Sequence, residues 1–203
     1  AARAIGEEVA RRGIEVDLLV NNAGLGHTAR FHEQPADRIA AMLDVNLRAL
    51  VELTHVFLPG LVHRRRGAVV NVASNAAFQP VPFLAVYAAT KAFVLSFTEA
   101  LATELRGTGV RVQALCPGLT RTEFLNLAET HTQGLRVDHL PTMTPEAVVA
   151  ASLRALDGGA VRVVPGLANR SLATLQRFLP LSLVRNVAAA LYRPRGGQTS
   201  AGH

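Results

Sequence analysis

The sequence has no tryptophan and only one cysteine, Cys116. A single cysteine excludes an internal disulfide and suits a reducing compartment, so a cytoplasmic location is expected. There is also only one lysine, Lys91, among 21 basic residues; all the others are arginine. The seven histidines are scattered, with no HExxH pair and no Cys/His cluster at zinc spacing, so no metal site is expected. No apolar run reaches the roughly 18 residues of a membrane span, because Arg, Asn or Pro interrupts each one. No basic-then-apolar leader opens the chain. Acid is absent from the C-terminal part. All 15 Asp and Glu lie at or before Asp157, while residues 158–203 carry six arginines, Arg162, Arg170, Arg177, Arg185, Arg193 and Arg195. The net charge of +6 therefore belongs to the tail, and residues 1–157 are neutral. That tail has few aromatics and no recognised motif, so no nucleic-acid partner is expected.

Apolar residues make up 49% of the 203, enough to bury the core of one domain. The pattern alternates. Residues 1–12 read as the end of an amphipathic helix closed by Gly13. The apolar run 16–20 suits a strand buried on both faces. A helical pattern covers 36–64, and a second strand covers 68–73. A helix is expected from Tyr87 to Arg106, a strand over 110–115, a helix over 145–156 and a short strand over 161–164. Arg/Leu-rich helical segments flank Pro180, and the end reads as disordered. This order predicts an α/β fold with a parallel sheet, doubly wound in the Rossmann manner. Residues 1–165 form the α/β part, and 166–203 a basic helical C-terminal extension with a disordered tail.

In such sheets ligands sit beyond the carboxyl ends of the strands. Three distinctive segments fall there: Asn21–Gly24, Ser74 and Pro117–Thr122. Tyr87 and Lys91 are four residues apart, on one face of a helix. A phenol with a pKa near 10 is a poor acid or base at neutral pH, and a nearby ammonium lowers that value. Such a pair can exchange a proton with a carbonyl or alcohol oxygen. Ser74 could donate to the same oxygen, or simply cap the next turn. Asn46 sits within a helical stretch, where Asn is not favoured; it could bend the helix and bind water, or face solvent. Gly24 permits close backbone approach, or marks a turn.

The stretches NNAG (21–24), MLDVNLRA (42–49), GAVVNVAS (67–74), YAATK (87–91) and CPGLTRTEF (116–124) together resemble the short-chain dehydrogenase/reductase family. The resemblance covers residues 1 to about 165. It implies NAD or NADP as cofactor, with Tyr87 as catalytic acid/base and Ser74 orienting the substrate oxygen. Lys91 would lower the pKa of Tyr87 and bind the nicotinamide ribose, and Asn46 would hold a water linking Lys91 to solvent. Asn22, Ala23 and Gly24 would lie under the adenosine side of the cofactor, and Pro117, Gly118, Thr120 and Thr122 would hold the nicotinamide. The resemblance also implies a homodimer or homotetramer built on the helix of Tyr87 and that of Asn46. Phe93, Phe97, Leu101 and Leu105 recur at i, i+4 spacing and add apolar surface there.

The family's phosphate loop, TGxxxGxG, precedes NNAG by two βα units, roughly 60 residues. Only 20 residues precede Asn21 here, and the first is Ala rather than Met. The expectation is a fold lacking its first strands. The segment Phe78–Phe83, with Phe124, Leu125 and Leu127, offers an apolar pocket wall, which favours a lipophilic ketone or secondary alcohol as substrate. In the tail, Arg170, Arg177 and Arg185 form a stripe opposite leucines. It reads either as a solvated face packed by its Leu side or as a peripheral membrane contact. Two functional readings stand: an oxidoreductase, or a non-catalytic fragment or interaction module that no longer binds cofactor.

Overall fold

A computed structural model describes residues 1–120 and 142–193. The four expected strands form one parallel sheet in the order β1 (Leu18–Asn21), β2 (Ala68–Val72), β3 (Arg111–Leu115) and β4 (Arg162–Val163). β1 begins two residues later than its apolar run, at Leu18, where the pairing with β2 starts. Arg64 Nη2 donates to Val16 O at 2.7 Å, and the amide of Ala68 donates to Asp17 O at 2.9 Å.

Helix α1 (Ala2–Arg11) precedes β1. Between β1 and β2 runs one continuous rod: α2 (Ala36–Leu43), a π turn (Asp44–Ala49) and α3 (Leu50–Arg64). Helix α4 (Ala85–Glu104) joins β2 to β3, and α5 (Pro145–Asp157) precedes β4. Thr144 caps α5 by accepting from the Ala147 amide at 3.3 Å, and Pro145 occupies its first turn. Two further helices follow, α6 (Leu167–Leu175) and α7 (Leu181–Tyr192). The rod at 36–64 is long and apolar enough to cross a membrane by length and composition. One stripe of it packs against the sheet and α4: Met42, Leu50 and Leu61 are buried, and Thr54 and Asn46 are hydrogen-bonded to β1, α4 and the loop after β1.

Strand alternation sorts the core into two layers. Val69 and Val112 face α3 and α4, packing with Leu61 and Leu101. Val70, Leu115 and Val163 face α5, packing with Val148 and Leu156. The sheet is thus covered on both faces over β3. At β1 the α5-side positions, Leu18 and Val20, are 42% and 50% exposed. Among the described residues β1 is an edge strand.

A polar seam crosses the α3/α4 layer. Asn21 and Asn71 are register partners on β1 and β2. Asn21 Nδ2 donates to Asn71 Oδ1 at 2.8 Å and to Thr54 Oγ1 at 3.0 Å, and Asn71 Nδ2 donates to Thr98 Oγ1 at 3.0 Å. All four side chains are buried, so these bonds satisfy groups that water cannot reach.

Three expectations are corrected. The helix of Tyr87 starts at Ala85 and ends at Glu104, earlier than expected. Leu101 and Leu105 pack inward against Leu61 and Val110, so of the four residues expected to feed an oligomer contact only Phe93 is exposed. The tail helices do not bury a leucine side. α6 buries Ala173 and α7 buries Val184 and Ala188, while their large apolar residues point outward.

Candidate active site

A cavity of about 940 Å³ opens at the carboxyl ends of the strands. Every described residue that the sequence singles out for catalysis or cofactor is at its wall except Asn46, which lies just behind it. The lining includes Asn22, Ala23, Gly24, Ser74, Tyr87, Lys91, Pro117, Gly118 and Thr120. Thr122, Phe124, Leu125 and Leu127 lie outside the described residues. Of the expected apolar wall, Phe78, Gln79 and Val81 line the cavity, joined by Leu84.

Ser74 ends the stretch after β2 and begins a short 3₁₀ turn (Asn75–Phe78), where its Oγ accepts from the Ala76 amide at 3.1 Å. The same hydroxyl is hydrogen-bonded with the Tyr87 phenol. Capping and active-site contact are therefore both realised by one group. Tyr87 and Lys91 share a face of α4, with Lys91 Nζ 5.8 Å from the Tyr87 ring centroid. Nζ donates to Val72 O at 2.8 Å.

Burial dominates both ionisations. It pushes the Tyr87 phenol up to about 12; the Ser74 hydrogen bond opposes this and neighbouring Tyr192 adds to it. Burial brings Lys91 down to about 8. The expected lowering of Tyr87 by Lys91 is not what this arrangement gives, because the ammonium is turned onto a backbone carbonyl. The Cys116 thiol behind them is also pushed up to about 12 by burial, which makes it an inert core group.

Asn46 occupies the π turn and is buried. Such turns widen the helix by one residue and are frequent at functional sites. Its Nδ2 donates to Leu25 O at 2.9 Å and Thr90 Oγ1 at 3.0 Å, and its Oδ1 accepts from the Leu25 amide at 2.8 Å. It thereby ties the loop after Gly24 to α4, between Tyr87 and Lys91. Both side-chain donors are spent, so the side chain positions the site and has no proton left to offer a relayed water.

Two glycines are fixed by close approach. A Cβ at Gly24 would lie 3.3 Å from Lys91 Nζ and 3.6 Å from Asn46 Oδ1. A Cβ at Gly118 would fall 2.5 Å from Asn169 Oδ1. Asn169, on α6, donates to Pro165 O at 3.0 Å, which holds its side chain where it packs against Gly118.

Sequence reasoning missed the cavity's C-terminal wall. Asn169 and Leu172 on α6, and Leu191 and Tyr192 on α7, line it beside Tyr87. The one signal available is that Tyr192 is the chain's only other tyrosine.

The fit to a nicotinamide dinucleotide is partial. Near Lys91 the backbone of Gly24 leaves room that a side chain would fill, and the ammonium keeps donors beyond the one given to Val72. The nicotinamide–ribose half is therefore provided for. The pyrophosphate half is not, since the 203 residues contain no TGxxxGxG stretch.

Residues 1–133 match the short chain dehydrogenase family. A human very-long-chain 3-oxoacyl-CoA reductase is 30% identical over 184 residues, which cover 89% of this chain and 54% of that protein. Among solved structures, a short-chain dehydrogenase from Sphingobium yanoikuyae in complex with NADPH aligns with a TM-score of 0.74 and 28% identity, covering all of this chain and 74% of that one. A 7β-hydroxysteroid dehydrogenase aligns with a TM-score of 0.80 and 27% identity, over 93% of this chain and 72% of that one. The chain belongs to the short-chain dehydrogenase family, a family of NAD- or NADP-dependent oxidoreductases with a Rossmann-type fold. It spans about half the length of the curated relatives it matches.

Proposed function

We propose that the protein, as its gene encodes it, reduces a lipophilic ketone with NADPH or NADH, and that Tyr87 is the proton donor. The observation that carries this reading is the hydrogen-bonded Ser74–Tyr87 pair on the wall of a largely apolar cavity, with Lys91 one helical turn away. The nicotinamide ring, when bound, supplies the hydride. The chain's own residues do the rest. Ser74 Oγ and the Tyr87 hydroxyl converge on the substrate oxygen, and both can donate to it. As hydride reaches the carbonyl carbon, negative charge grows on that oxygen and the Tyr87 proton transfers to it. Burial keeps the phenol protonated in the resting chain, so the proton to be transferred is in place on Tyr87. Lys91 supplies positive charge and ribose contacts beside the phenol, and Asn46 and Gly24 fix the backbone on which those contacts depend.

The lipophilic substrate class rests on the lining, which includes Phe78, Val81, Leu84, Leu172 and Leu191 and, among the described residues, offers no carboxylate. Two of the similar proteins are named for acyl-CoA and steroid substrates, whereas others are named for 3-hydroxy acids and serine. Purified gene product mixed with NADPH or NADH and a panel of long-chain, steroid-like and aromatic ketones tests the reading. Dinucleotide oxidation dependent on at least one lipophilic ketone is expected, and oxidation only with small charged carbonyls would refute the class.

We also propose a cytoplasmic protein that pairs through the outer face of α4. There Phe93 is 43% exposed and stacked on Phe97 at 6.0 Å, with the small residues Ala89, Ser96 and Ala100 beside it.

A further inference from the structure

The two tail helices bury little that is large. α6 is held by Ala173, and α7 by Val184 and Ala188. Facing solvent across both helices and the Pro180 junction are Leu167, Leu175, Phe178, Leu181, Leu183 and Val187, of which Leu167 is 84% and Phe178 80% exposed. A helix that ends its life in water puts its leucines inward and its polar residues outward; here the sides are exchanged. An apolar surface of this extent marks a contact site.

The charge beside the patch says what covers it. Arg170 and Arg185 on the same two helices, and Arg193 just past the second, are exposed and have no ion-pair partner among the described residues. No acid occurs anywhere in residues 158–203. A second copy docking patch to patch would set arginine against arginine with no carboxylate between them. A surface of anionic lipid answers both features at once: apolar residues enter the acyl boundary while guanidinium groups reach the phosphates. The opposite side of the same helices, at Ala168, Leu172, Leu191 and Tyr192, walls the cavity.

We propose that the α6–α7 pair is an interfacial anchor that lies on an anionic membrane surface, with Leu167 and Phe178 inserted and Arg170 and Arg185 on lipid phosphates. The cavity wall would then rest directly on the lipid boundary, which suits a substrate that partitions there. The anchoring itself does not depend on the chemistry proposed above and is measured without substrate or cofactor.

The test is vesicle flotation of the full chain, which separates bound protein from aggregates because aggregates sink. Phosphatidylcholine vesicles are compared with vesicles of phosphatidylcholine and phosphatidylglycerol. The chain should float with the anionic vesicles and stay at the bottom with the neutral ones. Leu167→Glu/Phe178→Glu should weaken binding at least about tenfold. Arg170→Gln and Arg185→Gln should each weaken it about fivefold, with the apolar residues intact. Failure of the unaltered chain to float with anionic vesicles overturns the proposal, as does equal flotation of the glutamate variant. A drop in melting temperature of that variant without vesicles would show the patch covered within the protein, and would overturn it too.

Discussion

Lys91 and Tyr87 share one helix face, yet burial moves their pKa values in opposite directions, to about 8 and about 12. For Lys91 the consequence is a defined dependence of stability on pH. The unfolded chain holds the lysine proton up to about pH 10.5, whereas the folded chain releases it near pH 8. Below pH 8 the buried ammonium costs stability, and that cost is relieved as pH rises from 8 to 10.5. Urea unfolding of the chain and of Lys91→Met across this range should show the unaltered chain gaining about 3 kcal/mol relative to the variant. A constant difference would mean that Lys91 is not desolvated. Ser74, Tyr87, Lys91 and Gly24 were legible in the sequence because their chemistry is tied to short motifs. The sense of the Tyr87 shift was not, since it depends on how tightly α7 closes over the phenol and on where Nζ points. Nothing local to Tyr192 or Asn169 advertises a place in the cavity; only the return of the tail onto the strand ends puts them there.

At the level of elements, the strand and helix order followed from apolar periodicity, and differences fell at element ends, as at Val16 and Asp17, which precede the first residue paired with β2. The inward turn of Leu101 and Leu105 was not legible, because i, i+4 spacing gives a common face without saying what it meets. Nor was the polar seam, although Asn21 and Asn71 interrupt two apolar strands at register positions that prove to be partners. That seam ties β1 and β2 to α3 and α4. Asn71→Val leaves one proton of Asn21 Nδ2 and the acceptor side of Thr98 Oγ1 without a partner in the core and should cost about 2 kcal/mol, while adding Asn21→Val should recover part of the loss. Additive losses in the double variant, measured by urea unfolding, would show the two side chains to be uncoupled. The outer face of α4 makes a separate prediction. Phe93→Glu should shift the gene product from dimer toward monomer in light scattering without changing its fold, since Phe93 is exposed in the single chain. An unaltered mass would place the interface elsewhere.

Taken whole, the molecule belongs to a dinucleotide-dependent family and gathers Ser74, Tyr87 and Lys91 around one cavity. Its 203 residues hold no TGxxxGxG stretch, the glycine-rich turn at which a pyrophosphate elsewhere in such folds meets a helix N-terminus. The chain of 203 residues by itself should therefore bind NADH and NADPH more weakly than micromolar in fluorescence titration. Micromolar binding would mean that these residues build a phosphate site of another kind. The central claim is that Tyr87 moves the proton. Its most direct test is the rate at which the gene product oxidises NADPH with a lipophilic ketone, compared with that of Tyr87→Phe, which keeps the ring and removes only the hydroxyl. The account predicts a fall in turnover of at least about a hundredfold, with unchanged unfolding behaviour. Turnover within a few fold of the unaltered protein would contradict it.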